Sequence, residues 1–177
     1  MSVYMSEEEI KFALIIKQMD IPFKIDVKND RIILQKIGYF CSLLGLNLND
    51  RIHFSWYKNG PYSPDLTKVY YALNKNISMG IFEFLNRDLS VNEDEIVETV
   101  KNLYDSKPED IEDPSDWMEL TASVCYLHGL LGKESAIDFI ERHENKRHLH
   151  VKNNYDRAIE ALSKCKINCN SSQSFNN

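Results

Sequence analysis

The sequence predicts a mainly α-helical single compact domain of six or seven helices with a small β element, and three observations carry that prediction. Apolar residues recur at helical spacing through most of the chain; the helical segments open on capping residues or prolines and close near glycines or prolines; and one short stretch alternates with period two instead. A chain of 177 residues is long enough to bury a core and short for two, so residues 1–166 read as one helical domain and 167–177 as a disordered tail.

The elements follow in order. Ser6 and Glu9 form a capping box, and Ile10, Ala13, Leu14 and Met19 place a helix over Glu7 to Met19, stopped by Pro22. Asp30 is the expected cap of a second, deeply buried helix carrying Ile33, Leu34, Ile37, Phe40, Cys41 and Leu44, ending at Gly45. From Arg51 to Tyr57 the period changes to two, with Ile52, Phe54 and Trp56 on one side of a strand. Lys58 to Pro61 make the turn, and Ser63 as cap with Pro64 at the first helical position starts a helix bearing Leu66, Val69, Tyr70 and Leu73.

Gly80 to Leu89 fits strand and helix equally. Asn92 is the expected cap of a helix carrying Ile96, Val100 and Leu103, and Asp105 to Pro114, with two prolines and five acidic residues, reads as an exposed linker. Ser115 is the expected cap of a strongly apolar helix with Leu120, Val124, Leu127 and Leu131, ended by Gly129 and Gly132. A shorter helix runs from Lys133 to about His143, and a last one carries Val151, Tyr155, Ala158, Ile159 and Leu162. Beyond Lys166 the sequence INCNSSQSFNN is polar and aperiodic.

Composition narrows function by exclusion. With 27 acidic against 21 basic residues the net charge is −6, a field that repels phosphate backbones and anionic membranes. Nucleic acid is therefore an unlikely partner, and the basic run Lys146, Arg147, His148 reads as a solvated helix end. No segment approaches the roughly 20 apolar residues of a membrane span, and the start MSVYMSEEE lacks the basic and apolar regions of a signal peptide. A cytoplasmic protein with Cys41, Cys125, Cys165 and Cys169 as reduced thiols is the expectation.

No catalytic machinery is legible. His143, His148 and His150 lack the spacings and companions of a zinc site and read as solvated helix-end histidines. Cys41 and Cys125 fall on apolar stripes, where cysteine is a small core residue. The acidic clusters sit at helix starts or in the linker, where helix dipoles and solvation explain them. Neither a glycine-rich phosphate loop nor a GxSxG elbow is present. No catalytic residue, cofactor or metal is assigned, and the expectation is a protein that is not an enzyme.

The segment Trp56 to Leu66, WYKNGPYSPDL, stands out. Gly60, Pro61, Ser63 and Pro64 suit a rigid strand-turn-helix connection, and its aromatics suit protein recognition. Trp56, Tyr57, Lys58, Asn59, Gly60, Pro61, Tyr62, Ser63 and Asp65 are the candidate partner-binding residues. Tyr57 is expected in the core and Tyr62 exposed.

Three motifs carry a family resemblance: LQKIGYF at Leu34 to Phe40, FSWYKNGPYSPDL at Phe54 to Leu66, and LTASVCYLHG at Leu120 to Gly129. The first two resemble the SocA-like or Panacea antitoxin domain and the related YwgA-like family, and the third is similar to a helix of YwgA-like members. Tyr62 and Ser63 follow Pro61 where Panacea members often carry valine or isoleucine, which favours the YwgA-like branch. The resemblance implies a compact helical antitoxin, often encoded in prophages or beside small toxins in toxin-antitoxin systems, which neutralises a toxin by binding it. The competing readings are a winged-helix-like DNA-binding regulator and an enzyme of unknown reaction.

Overall fold

The computed structural model describes residues 4–170, apart from the side chains of Glu144, Asn145 and Arg147. Among the described residues there are seven α-helices and one two-stranded sheet, the mainly α architecture that the periodicity predicts. The helices are α1 (Glu7–Met19), α2 (Lys28–Leu43), α3 (Pro64–Ser78), α4 (Val91–Asp105), α5 (Pro114–Leu131), α6 (Lys133–Glu141) and α7 (Val151–Lys164); the strands are β1 (Ser55–Tyr57) and β2 (Gly60–Tyr62).

The α5 helix is the axis of the molecule. It packs on α2, α7, α6, α4 and β2, while α1 packs on α3 and α4. Residues Trp117 to Leu127 are all buried, as expected for a helix apolar on nearly all sides that neighbours surround. Its Trp117 fills the contact with α4 and donates its indole N–H to the Leu103 carbonyl oxygen at 2.9 Å. Leu34 to Cys41 of α2 are all buried, enclosed by α5, the hairpin, α4 and α3. Gly38 lets α3 come close, since a Cβ there would collide with the Leu66 side chain.

Two capping boxes of the Ser-x-x-Glu type open helices in this fold: the expected one, Ser6 with Glu9 at α1, and Ser90 with Glu93 at α4, which takes the place of the expected cap Asn92. Similarly, α5 is capped by Asp113, which accepts the Ser115 backbone N–H, with Pro114 at its first position, so Ser115 lies inside the helix and is buried. The α2 helix begins at Lys28, two residues before Asp30, with no side-chain cap. Gly129 does not stop α5, which continues to Gly132 at φ 74°. The ambiguous stretch 80–89 contains a short 3-10 helix, Glu83–Asn86.

The β element differs from the single strand expected over 51–57. Residues 51–57 keep their alternation, with Ile52 buried and Arg51, His53, Ser55 and Tyr57 exposed, but only Ser55 to Tyr57 find a partner. That partner is β2, antiparallel across Lys58 and Asn59, with Ser55 opposite Tyr62 and Tyr57 opposite Gly60. Gly60 and Pro61, expected in the turn, thus join Tyr62 as half of a hairpin, and Gly60 supplies the φ of 84° at its return.

At the C-terminus the boundary at 166 does not hold for residues 167–170. Ile167 is buried, and Cys169 is disulfide-bonded to Cys125 of α5, with Cα atoms 5.0 Å apart. The chain turns back after α7 and lies along the end of α5, a contact between residues 44 apart that local spacing does not reveal. Cys41 and Cys165 remain free thiols. The rest of the expected tail, 171–177, lies outside the described residues. Among the described residues no helix is long and apolar enough to cross a membrane.

Candidate functional site

Three distant segments, 34–40, 54–66 and 120–129, meet at the hairpin, and polar side chains buried behind it hold it in place. Gln35 of α2 grips Ser63 twice: its Nε2 donates to the Ser63 carbonyl oxygen and its Oε1 accepts the Ser63 backbone N–H, both at 2.9 Å. Ser63, fully buried, in turn caps α3 by accepting the Leu66 N–H. Lys36, also buried, donates from Nζ to the Pro61 carbonyl oxygen at 2.8 Å.

From the other side α5 contributes Glu119 and Ser123. The Glu119 carboxylate is 1% exposed; it accepts from Asn59 Nδ2 at 3.2 and 3.3 Å and from Lys146 Nζ at 2.9 Å. Lys146 also donates to Ser123 Oγ at 3.3 Å and sits 4.8 Å from the centroid of the Trp56 ring. A Cβ on Gly60 would come within 2.5 Å of Ser123 Oγ, so only glycine lets the strand lie this close to α5. His148 adds a partial charge neighbour, its Nε2 being 3.2 Å from Asp116 Oδ1 and 3.7 Å from Glu119 Oε2.

The electrostatics follow from burial. Desolvation pushes the Lys36 ammonium down to about 7, partly opposed by Glu119 and reinforced by Lys146. Desolvation also lowers Lys146, against the pull of Glu119. Burial alone would raise Glu119, but hydrogen bonding with His148 and the charges of Lys146 and Lys36 overcome it and bring the carboxyl down to about 2. The nearby Glu119 raises His148. Two buried ammonium groups therefore share one buried carboxylate, and Lys36 is the one without a salt bridge among the described residues.

The nine candidate partner-binding residues divide between the two sides of this mount. Gly60, Pro61 and Ser63 are buried and serve the inner side. Trp56 is half-buried against Tyr126, Phe139 and His143. Asn59 and Asp65 are partly covered, the first by Glu119, while the second pairs with Lys68 at 2.8 Å. On the outer edge stand Tyr57, 53% exposed, and Lys58, whose Nζ is 5.8 Å from the centroid of the Tyr57 ring. The expected order of the two tyrosines is reversed. Tyr57 is exposed because it shares the outward phase of Arg51, His53 and Ser55, whereas Tyr62 is half-buried and its hydroxyl accepts from Thr67 at 2.9 Å. Their rings lie 5.3 Å apart.

Lys146 corrects another expectation: the basic run is no solvated helix end at this position, because Lys146 turns inward to Glu119. His143 is packed against Phe139 and Trp56 and bonded through Nδ1 to the Phe139 carbonyl oxygen, and His150 is exposed at the start of α7. The buried polar residues Gln35, Lys36, Glu119 and Ser123 were not singled out for chemistry. A signal existed for Lys36, which lies three residues after Ile33 and four before Phe40, on the apolar stripe of α2. Compared with known proteins, the chain matches no family model, no curated protein and no solved structure.

Proposed function

We propose that this chain is a non-enzymatic, antitoxin-like binding module, which masks the active or target-binding surface of a partner protein with the outer edge of its hairpin. The observation that carries the reading is the exposed Tyr57, beside Lys58 and stacked near Tyr62, on a two-stranded element whose inner edge is fixed by buried hydrogen bonds. A large aromatic ring presented on a rigid mount buries much area in a complex at small entropic cost. The resemblance of the three motifs to SocA-like, Panacea and YwgA-like proteins supports the same reading, with a toxin from an adjacent gene as the partner.

The test is coexpression with the product of the neighbouring gene. Relief of its toxicity by the native chain, lost in Tyr57→Ala at equal protein level, is the expected result; unchanged relief by Tyr57→Ala would contradict the hairpin assignment. A neighbour without toxicity, or one whose toxicity the native chain leaves intact, would contradict the antitoxin role.

A second reading, an enzyme of unknown reaction, has one observation in its favour. A cavity of about 540 Å³ beside α5 and α7 is lined by both Asp116 and His148; burial raises the Asp116 carboxyl, and Glu119 raises His148. Saturable stabilisation by a small metabolite, abolished in His148→Gln, would favour that reading over the first.

A further inference from the structure

The outer edge of the hairpin is not a plain aromatic surface, because a small cavity opens between it and α2. Its volume is about 110 Å³, and its lining includes Arg31, Ile32, Lys36, Tyr57, Asn59 and Tyr62. Tyr57 is exposed, whereas Ile32 and Lys36 are buried, so the cavity runs from an aromatic rim toward an apolar and cationic floor.

The charge at that floor is incompletely matched. An ammonium has three N–H donors, and among the described residues Lys36 gives one to the Pro61 carbonyl oxygen and has no carboxylate partner. The one buried carboxylate nearby, Glu119, is committed to Lys146 and Asn59. Lys36, when protonated, is thus a cavity-lining charge whose one hydrogen-bond partner among the described residues is a neutral carbonyl oxygen.

We propose that this cavity receives the carboxylate of an aspartate or glutamate side chain from the bound partner, with Lys36 as its counter-charge and Ile32, Tyr57 and Tyr62 as walls for its aliphatic stem. The inference rests on the hairpin being the binding face, as proposed above. The lining selects this group. Lys36 and the partly exposed Arg31, whose Nη1 donates to the carbonyl oxygens of Ile25 and Asp26 at 2.6 and 3.0 Å, make the cavity positive. It has room for the end of one side chain, and Ile32, Tyr57 and Tyr62 offer apolar walls that an aliphatic stem fills and a free phosphate does not. The same contact gives the complex its specificity: a partner with an apolar residue at that point would bury Lys36 still deeper without a counter-charge.

The experiment uses the full chain with ¹³C-labelled lysine, the Lys36 signal being assigned by its loss in Lys36→Met. Sodium acetate is titrated at pH 7 against sodium chloride at constant ionic strength, with inorganic phosphate as a third arm. The expected result is a saturable movement of the Lys36 Cε signal with acetate alone and a rise of its titration midpoint by at least one pH unit. Tyr57→Ala, which opens the cavity wall, should weaken the acetate response at least fivefold while Lys36 stays in place. A Lys36 signal that acetate leaves unmoved, or that chloride moves equally, overturns the proposal. A stronger response to phosphate overturns the side-chain carboxylate in favour of a phosphoryl ligand. These outcomes are separate from the coexpression test: loss of toxicity relief in Tyr57→Ala without an acetate response leaves the binding face standing and removes the anion site.

Discussion

The two edges of the hairpin are built from neighbouring residues and do opposite work. Its inner edge, Asn59 to Ser63, is held by Gln35, Lys36, Glu119 and Lys146 through buried hydrogen bonds and one buried ion pair. Its outer edge, Tyr57 and Lys58, is exposed, with the Tyr57 ring 5.3 Å from that of Tyr62. The difference teaches that an aromatic, proline-bearing motif is not one functional unit: the glycine, the proline carbonyl and the serine answer to the fold, and the tyrosine is left over for something else.

The sharpest way to break this division is at Glu119. Replacing it with alanine leaves two buried lysines without a counter-charge and should cost about 3–5 kcal/mol in urea unfolding; a loss below about 1 kcal/mol on the same scale would mean that the cluster is not a buried mount. The pH dependence sharpens the same point. The folded state holds Lys36 at about 7, below its ordinary value of 10.5, so above about 7 the unfolded chain binds more protons at this group. Stability therefore gains from Lys36 as pH rises from about 7 toward 10.5, and the burden of the charged form is full below that window. Lys36→Met should flatten this rise; an unchanged slope would place Lys36 in water.

The disulfide provides a contrast on α5 itself, at Cys125, two residues beyond Ser123. Cys169→Ser should lower stability by roughly 2–4 kcal/mol while leaving the hairpin amide signals in place; a reorganised hairpin would show that the mount depends on the disulfide. Gly60→Ala acts on the inner edge by its positive φ and by contact with Ser123, and should cost about 1–3 kcal/mol. A neutral result would show that the strand can retreat from α5.

The legibility of this molecule in its sequence divides in a similar way. Helix positions follow from local patterns, and so the Ser6 box and the Ser63–Pro64 start of α3 are found where the sequence places them. Where two candidates lie within a few residues the cap is the earlier one, Ser90 rather than Asn92 and Asp113 rather than Ser115. Tyr57 was legible and misread: the alternation that puts Ile52, Phe54 and Trp56 inward puts Tyr57 outward. The inner mount is legible only at Lys36, which lies on the apolar stripe of α2; Glu119 and Lys146 look like ordinary surface charges until α5 and the 3-10 turn at Glu144–Leu149 bring them together. The return of Ile167 and Cys169 to α5 is hidden for the same reason.

The central claim, a hairpin fixed from behind and free in front, is tested most directly by equilibrium urea unfolding of Tyr57→Ala beside Glu119→Ala. The account predicts a change within about 0.5 kcal/mol for the exposed tyrosine and a loss of about 3–5 kcal/mol for the buried carboxylate. Comparable losses in the two variants, or a larger loss at Tyr57, would contradict it.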